Sequence, residues 1–389
     1  MKVLFLSHSY PRFPTDPVGS FVLRLAVALR GQGVETRVIA PAAPGLANRE
    51  EYEGIAVERF RYAPARLETL AYSGTMRDQV RASWAAKAAL GSLMAAEFAK
   101  ALRMRSGFRA DLVHAHWWFP GGMVGTWLRR WWRVPLVITM HGSDVRLARA
   151  SRPAAALFRR VLTRAEAVTT VSSWLAAETE AIVPTVHPVV APMPIKPDLF
   201  HPGGSRAPDT LLFVGKLNLQ KGIEHLFRAL ALMRARPTVD VVVGVGSAPA
   251  DVAALAQSLG VADRLRWFPL LPQSELADRY RACTALVMPA VEEGLGLVAA
   301  EALLCETPVV AFASGGLTDL IVDGRTGLLV PPGDVAALAR ALDDLLSRSD
   351  RGAGLGTAGR QAMLATFGPD AVATRYAGIY RTAIAGHVA

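Results

Sequence analysis

The chain has 389 residues, enough for two or three domains, and 51% of them are hydrophobic, which excludes a disordered chain. No run of 18 apolar residues occurs, and the apolar start Met1–Leu6 stops at Ser7, so we expect neither a membrane-spanning helix nor a cleaved leader. The two cysteines, Cys283 and Cys305, provide no disulfide framework, so a reducing cytoplasm is the expected compartment.

The net charge of +10 is unevenly distributed along the chain. Residues 1–195 contain 25 Lys and Arg against 14 Asp and Glu, whereas residues 196–389 contain 18 against 19. The basic part also has seven of the eight tryptophans. Such an asymmetry indicates partners rather than fold, and the candidates are an acidic membrane surface, an anionic acceptor and nucleic acid.

The chain opens with the pattern of a doubly wound α/β domain. Val3–Ser7 predicts a buried strand, and a proline-rich loop leads through Gly19 to a helix over Phe21–Gln32. Val34–Ala40 predicts the next strand. This strand, loop, helix and strand unit is typical of the start of a doubly wound α/β domain.

Two later strands of this domain end in histidines. Asp111–His116 reads D-L-V-H-A-H, and Pro135–His141 is followed by G-S-D, which ends at Asp144. Because ligands of α/β sheets bind at the carboxyl ends of the strands, both histidines are candidate site residues. A further strand is predicted over Ala167–Ser172.

Two basic, tryptophan-containing segments leave several interpretations open. Met76–Arg105 predicts one long helix with apolar and basic residues, and Trp127–Arg133 reads W-L-R-R-W-W-R. Either segment could lie on anionic lipid, or it could pack its apolar side on the domain and expose its charges. The second could also stack on single-stranded nucleic acid.

A proline-rich stretch, Val183–Pro208, predicts the connection to a second α/β domain. Leu211–Val214 predicts its first strand, and the loop G-K-L-N-L-Q-K-G leads to a helix that begins at Ile223. Its two lysines, Lys216 and Lys221, lie beside glycines and are therefore candidates for binding a diphosphate. Further strands are predicted over 239–245, 265–268, 285–289 and 309–312.

The stretch from Ala290 to Pro308 carries the most specific chemistry. Glycines separate a buried strand from a helix predicted over Leu297–Cys305, where free N–H groups favour a phosphate. Glu293 and Glu301 lie eight residues apart in this stretch. Carboxylates repel a phosphate but accept hydrogen bonds from hydroxyl groups, so the pattern indicates a diphosphate flanked by hydroxyls, as in a nucleotide sugar.

The segment E-G-L-G-L-V-A-A-E resembles the E-x7-E signature of retaining glycosyltransferases of family 4, which have the two-domain GT-B fold. The resemblance covers nearly the whole chain and is most specific over 211–332. It implies two Rossmann-like domains, an acceptor-binding one over 1–195 and a donor-binding one over 196–368, with a C-terminal helix (about 369–389) that crosses back to the first. Lys216 stands where the family has arginine, so the charge is kept without the bidentate fork.

The resemblance also implies roles for individual residues. His141, Glu293 and Lys221 are the predicted catalytic residues, and His116 and Asp144 are predicted on the acceptor side. The predicted donor-binding residues are Gly19, Lys216, Lys221, Leu271, Glu293, Gly294, Leu295, Gly296, Leu297 and Glu301. Glu301 is expected to bind the ribose hydroxyls and Glu293 a hydroxyl of the transferred sugar, in a cleft between the domains.

The expected reaction is sugar transfer from a nucleotide sugar to a hydroxyl of a carbohydrate or lipid-linked acceptor, in polysaccharide or glycolipid assembly. No D-x-D motif occurs, so we expect no metal and no cofactor. The expected location is the cytoplasm, with the inner membrane face as a candidate surface. The alternative is a nucleic-acid-binding protein, although no recognised motif supports nucleic acid as a partner. A dinucleotide oxidoreductase would need G-x-G-x-x-G after the first strand, which the sequence lacks.

Overall fold

The computed structural model describes residues 1–14, 16–72, 75–244 and 246–388, which form two compact α/β units. The first unit is Met1–Pro194 together with the C-terminal helix, and the second is Ile195–Gly368. Each unit has one largely parallel sheet whose successive strands are mostly joined by helices. The prediction of two α/β domains is therefore confirmed.

The strands of the first unit form one sheet whose central strands are almost completely buried. They are β1 (Lys2–Leu6), β2 (Glu35–Pro41), β3 (Arg49–Tyr52), β4 (Ile55–Phe60), β5 (Leu112–His116), β6 (Leu136–Met140), β7 (Ala167–Thr170) and β8 (Val189–Val190). Their order across the sheet is β3-β4-β2-β1-β5-β6-β7-β8, and only β3 runs antiparallel among the described pairings. The order reverses between β1 and β5, which makes the carboxyl ends of these two strands the expected ligand position.

Helices cover this sheet. They are α1 (Ser20–Arg30), α2 (Met76–Ala82), α3 (Trp84–Met104), α4 (Met123–Trp132), α5 (Ser143–Arg149), α6 (Arg152–Leu162) and α7 (Ser173–Ile182). The single helix predicted over 76–105 is wrong, because the chain breaks at Ser83. Ser83 is extended (φ −142°, ψ 134°), and its hydroxyl accepts a hydrogen bond from the backbone N–H of Ala86 at 3.4 Å. It caps the N-terminus of α3, which is the usual position of a serine at a helix start.

The second unit repeats the architecture. Its strands are β9 (Thr210–Gly215), β10 (Thr238–Val243), β11 (Leu265–Phe268), β12 (Ala285–Met288), β13 (Val309–Phe312) and β14 (Leu328–Val330). Its helices are α8 (Ile223–Leu232), α9 (Ala250–Ser258), α10 (Gln273–Ala282), α11 (Leu297–Leu304), α12 (Leu317–Leu320), α13 (Val335–Ser347) and α14 (Ala353–Phe367). The strands pair in the order β11-β10-β9-β12-β13-β14, with parallel neighbours throughout the described part. The strand predicted over 239–245 ends at Val243, and Val245 lies outside the described residues.

The C-terminal helix, α15 (Pro369–Val388), belongs to the first unit and packs against α1. Its tyrosines Tyr376 and Tyr380 are fully buried there. The prediction that the last helix returns to the first domain is therefore confirmed. Over the residues that the structure covers, no helix is both long and apolar enough to cross a membrane.

Candidate active site

In the second unit, the strand order reverses between the neighbouring strands β9 and β12. From β9 the chain passes to β10 on one side, and from β12 it passes to β13 on the other. The loops that follow the two strands contain the predicted donor residues, Lys216 and Lys221 after β9 and Glu293 after β12. The sheet topology thus places these residues at the switch point where α/β folds bind ligands.

The loop after β9 is held against the end of β12. The backbone N–H of Lys221 donates to the side-chain oxygen of Asn218 at 3.0 Å, which closes a tight turn. Gly222 follows with a left-handed backbone (φ +74°), and a Cβ atom there would lie 1.8 Å from the carbonyl oxygen of Pro289. Only glycine permits this approach, so the K-G pair positions Lys221 at the switch point.

Lys221 and Glu293 form a direct ion pair, with Nζ 2.5 Å from Oε2. Their side chains remain 24% and 15% exposed. The predicted diphosphate-binding cation and the predicted sugar-binding carboxylate therefore neutralise one another. Because both side chains remain accessible, groups of a nucleotide sugar can replace Glu293 as the partner of Lys221 and Lys221 as the partner of Glu293.

The backbone of Glu293 is fixed by two glycines that follow β13. The N–H of Gly316 donates to the carbonyl oxygen of Glu293 at 2.8 Å. Gly315 has φ +62°, and a Cβ atom there would lie 2.2 Å from the same oxygen. The sequence analysis did not assign this S-G-G segment to the site. A glycine pair directly after a predicted buried strand was the available signal.

The segment from Gly294 to Leu297 turns into the N-terminus of α11. Gly294, Leu295 and Gly296 are buried, and Gly296 caps the helix with φ +96°. A Cβ atom at Gly296 would approach the Leu317 side chain to 2.7 Å. The first N–H groups of an α-helix have no intrahelical partner, so this end of α11 can bind an anion.

Glu301 lies within α11, in the turn that follows. The hydroxyl of Tyr280, from α10, donates to its Oε2 at 3.2 Å. Tyr280 is fully buried, and burial together with the nearby Glu301 carboxylate raises the pKa of its hydroxyl well above the usual value. The hydroxyl stays protonated and fixes the orientation of Glu301. Tyr280 was not predicted, because nothing in the sequence links it to Glu301.

The two remaining donor predictions in this unit lie at different distances from the ion pair. Lys216 is exposed directly after β9, and its ammonium group has no hydrogen-bond partner among the described residues. Leu271 follows the edge strand β11, two strands away from β9, which corresponds to roughly 10 Å. The role of Leu271 in binding the base stays a prediction.

In the first unit, the predicted histidines meet at the ends of neighbouring strands. His116 ends β5 and His141 follows β6, and the Nδ1 of His116 lies 3.1 Å from the Nε2 of His141. His116 is fully buried and His141 is half-buried. Burial lowers the pKa of both imidazoles well below 6.5. Both rings are therefore neutral, and one donates the shared hydrogen bond to the other.

An aromatic cluster surrounds this pair, and the sequence analysis missed most of it. The ring of Trp117 lies 4.6 Å from that of His141 and 4.4 Å from that of His8, which follows β1. Phe21, in α1, lies 4.9 Å from His141. Burial lowers the pKa of His8 to about 4. His8 follows β1 and so stands at the strand end next to β5, which was the signal available.

Behind the pair, His114 connects the sheet to the C-terminal helix. Its Nε2 lies 2.7 Å from the hydroxyl of Thr139, and its Nδ1 lies 2.7 Å from the hydroxyl of Tyr380. The rings of His114 and His116 are 4.3 Å apart. The helix α15 thus supports the residues that orient His116.

Asp144 organises the loop that carries His141. Its carboxylate accepts hydrogen bonds from the backbone N–H groups of Gly142 (2.8 Å), Val145 (3.0 Å) and His141 (3.2 Å). It is almost fully buried, and burial raises its pKa to about 6. These contacts give Asp144 a positioning role. The predicted acceptor-side roles of Asp144 and His116 stay predictions.

Gly19 precedes α1 in the loop after β1. It has φ +70°, and a Cβ atom there would lie 2.3 Å from the carbonyl oxygen of Ser9. The close packing explains the glycine, whereas its contact with a donor stays a prediction. Over the described residues, no three His, Cys, Asp or Glu side chains are grouped as a metal ion would require.

Comparison with known proteins identifies both halves of the chain. Residues 199–362 match the family model described as glycosyl transferases group 1, and residues 18–194 match the glycosyl transferase 4-like domain. The chain is similar to a D-inositol 3-phosphate glycosyltransferase of Streptomyces scabiei, with 32% identity over 94% of this chain and 86% of the relative. The protein of the same name from Thermobispora bispora is 36% identical over 71% of each chain.

Solved structures share the fold. Sucrose-phosphate synthase from Thermosynechococcus elongatus superposes with a TM-score of 0.82 at 24% identity, over 99% of both chains. Anabaena HepE in complex with UDP-glucose superposes with a TM-score of 0.70 at 18% identity, over 98% of this chain and 100% of that one. The two matched domains, the full-length relative and the fold together show that the chain belongs to the GT-B glycosyltransferases of family 4.

Proposed function

We propose that the protein is a retaining, metal-independent glycosyltransferase that moves a sugar from a nucleotide-sugar donor to an acceptor hydroxyl. The observation that supports this most directly is the Lys221–Glu293 ion pair at the switch point of the second unit. Glu293 shortly precedes the N-terminus of α11, which is suited to a phosphate, and the same helix carries Glu301, which is suited to hydroxyls. The nucleic-acid alternative loses its support, because the family assignment accounts for both domains.

Donor binding would exchange the partners of the ion pair. The diphosphate is the stronger anion for Lys221, so the ammonium group turns from Glu293 to a phosphate oxygen. Glu293 then accepts a hydrogen bond from a hydroxyl of the transferred sugar. Glu301, oriented by Tyr280, accepts from the ribose hydroxyls.

The difficult step is departure of the nucleoside diphosphate. The bond between the anomeric carbon and the phosphate oxygen breaks, and its electron pair stays on the phosphate. The acceptor oxygen bonds to the anomeric carbon, and the proton of the acceptor hydroxyl is released with the nucleoside diphosphate. Negative charge therefore grows on the diphosphate in the transition state, and fixed cations and N–H dipoles stabilise it there more than in the bound donor. Lys216, Lys221 and the amides of Gly294–Leu297 would provide this stabilisation without a metal ion.

The first unit would bind the acceptor, a carbohydrate or a lipid-linked saccharide. His141 would face the transferred sugar and His116 would hold His141 in place through the 3.1 Å contact. A peripheral position on the cytoplasmic membrane face is supported by two exposed tryptophans, Trp84 (82% exposed) and Trp131 (68%), within the basic unit.

Calorimetry with UDP, GDP and ADP in EDTA tests the donor site, with UDP as the first candidate because HepE was solved with it. We expect one nucleotide to bind wild type and to lose at least tenfold in affinity in Glu301→Ala. Asp344→Ala, which removes an exposed carboxylate from α13, serves as the matched control and should bind like wild type. Failure of all three nucleotides to bind folded protein would contradict the proposal.

The remaining parts of the proposal need a turnover assay. With a donor of the identified base and EDTA present, activity should persist, and NMR of the product should show the anomeric configuration of the donor. Loss of activity in EDTA that Mg²⁺ restores would refute metal independence. An inverted product would refute retention.

A further inference from the structure

A basic cavity lies in the first unit, away from the residues discussed so far. It has a volume of about 920 Å³ and is lined by the ends of α4, α6 and α15 and by the loops that follow α4 and α6. We refer to it as the arginine cavity, after Arg129, Arg130, Arg133, Arg160 and Arg164, and Trp127 and His387 also line it. Its volume lies in the range of known ligand sites.

The arginine cavity lies at the opposite edge of the sheet from the histidine pair. The helices α4 and α6 lead into β6 and β7, so their C-terminal ends meet the amino ends of these parallel strands. His116 and His141 lie at the carboxyl ends of β5 and β6. The cavity is therefore separate from the catalytic residues proposed above.

One carboxylate, Glu166, lies beside the cavity, and its hydrogen-bonding capacity is already used. It pairs with the guanidinium group of Arg129 at 2.6 Å and with Nδ1 of His387 at 2.7 Å. It also accepts from the backbone N–H of Leu136 at 2.7 Å. Burial alone would raise the pKa of Glu166, but these hydrogen bonds lower it, so the group is ionised at neutral pH.

The other four guanidinium groups have no such partner. Arg130, Arg133, Arg160 and Arg164 are exposed, and none makes a side-chain hydrogen bond or ion pair with a residue that the structure describes. Four like charges around one cavity repel one another, and each guanidinium offers a fork of N–H donors that fits a phosphate. A compact anion with several charges would remove the repulsion and satisfy the donors.

We propose that the arginine cavity binds a phosphate-bearing anion with at least two negative charges, at a site distinct from the donor site. The apolar face of Trp127, which is 37% exposed, would form one wall. A phosphate of this kind could be a free diphosphate or phosphomonoester, or the headgroup of an anionic lipid. The site does not depend on the proposed sugar transfer, although a headgroup would serve the proposed membrane position.

The test uses the full chain and two matched pairs of substitutions. Arg160→Gln with Arg164→Gln removes two charges from the cavity, and within the described part of the chain neither side chain has a partner whose loss would disturb the fold. Arg66→Gln with Arg152→Gln removes two exposed arginines of the same unit that do not line the cavity. Arg152 is at the opposite end of α6 from Arg160, which makes the control close in structure.

The first arm is calorimetric binding of inorganic pyrophosphate, with UDP present so that the donor site is occupied. The second arm is sedimentation with vesicles of phosphatidylcholine that contain phosphatidic acid, whose headgroup is a phosphomonoester, or of phosphatidylcholine alone. We expect the cavity pair to weaken binding at least tenfold in one arm or both, and the control pair to leave it within twofold. Weaker binding in the pyrophosphate arm identifies a free anion, and weaker binding confined to the vesicles with phosphatidic acid identifies a headgroup.

Three outcomes would overturn the site: no binding by wild type in either arm, cavity variants that bind like wild type, or equal losses in the cavity and control pairs. The last would show general attraction to a basic surface. Because UDP binding is measured on the same samples, failure of the donor site and failure of the arginine cavity are told apart.

Discussion

Lys221 and Glu293 belong to loops that follow two neighbouring strands, and their side chains are joined by an ion pair of 2.5 Å. We predict that Lys221→Gln lowers kcat by about 100-fold or more, because one cation that stabilises the leaving diphosphate is lost. The melting temperature should change little, since a partly exposed pair contributes on the order of 1 kcal/mol or less.

The matched control for this prediction is Lys216→Gln, which removes an exposed lysine of the same loop that forms no ion pair with any residue the structure describes. Its effect on kcat should be smaller. Steady-state kinetics with the identified donor measures both variants. A Lys221→Gln enzyme that keeps wild-type kcat would remove Lys221 from the catalytic residues.

The hydrogen bond from Tyr280 to Glu301 predicts a positioning effect on donor affinity. Tyr280→Phe keeps the ring, including its edge contact with Phe200, and removes the hydroxyl. Glu301 then loses the hydroxyl that donates a hydrogen bond to it. We therefore expect the Kd of the nucleotide to rise about three- to tenfold, which corresponds to one hydrogen bond of about 1 kcal/mol.

The conservative variant Glu301→Gln separates the effect of the hydrogen bond from Tyr280 from the effect of the negative charge of Glu301. It still accepts from Tyr280 but loses the charge, so we expect weaker nucleotide binding without a large change in melting temperature. If Tyr280→Phe binds the nucleotide as wild type does, then the orientation of Glu301 is set by other groups.

Gly222 predicts a backbone effect on stability. A Cβ atom there would lie 1.8 Å from the carbonyl oxygen of Pro289, in addition to the cost of φ +74°. Gly333 has a similar φ of +80° with nothing within 4 Å. Gly333→Ala should therefore cost only about 1–2 kcal/mol of backbone strain, and Gly222→Ala should cost clearly more. Calorimetric melting of the two variants compares them, and equal losses would contradict the role assigned to the close approach.

The strand and helix pattern of both units could be predicted from the sequence because parallel strands are buried on both faces. Such strands read as short apolar runs, as at Val309–Phe312, and glycine or proline separates them from helices. The starts of α8 at Ile223 and of α11 at Leu297 were predicted for the same reason, since Gly222 and Gly296 precede them.

The break at Ser83 could not be predicted with the same rules. Strong helix formers surround it, and a serine in such a context is compatible with a continuous helix. In the structure Ser83 instead caps α3, and α3 packs on β2 and β4.

The candidate site was predictable only as far as local motifs reach. The predicted site residues follow strands, as Glu293, Lys221 and the histidines do, and ligands of α/β sheets bind at these strand ends. The partners that hold them come from distant segments, such as Tyr380, which is 266 residues from His114. Contacts between residues so far apart in the chain produce no short sequence motif, so they cannot be predicted from a single sequence.

Glu97, in α3, is 1% exposed, and among the described residues neither of its carboxylate oxygens has a hydrogen-bond partner. Burial raises its pKa from 4.5 to about 8. At pH values between these two, the folded protein keeps the proton and the unfolded chain releases it. The folded state therefore binds more protons than the unfolded state, and the free energy of unfolding falls as the pH rises through this range.

The expected slope from this one group is about −1.4 kcal/mol per pH unit between pH 4.5 and 8, and it vanishes above pH 8. Glu97→Gln removes the titration, so its free energy of unfolding should decline less steeply from pH 5 to pH 8 than that of wild type. Glu51→Gln, which neutralises an exposed glutamate of β3, is the control and should leave the slope unchanged. Urea unfolding at a series of pH values measures the three slopes. A Glu97→Gln variant that is parallel to wild type across this range would show that the buried carboxyl group does not titrate as proposed.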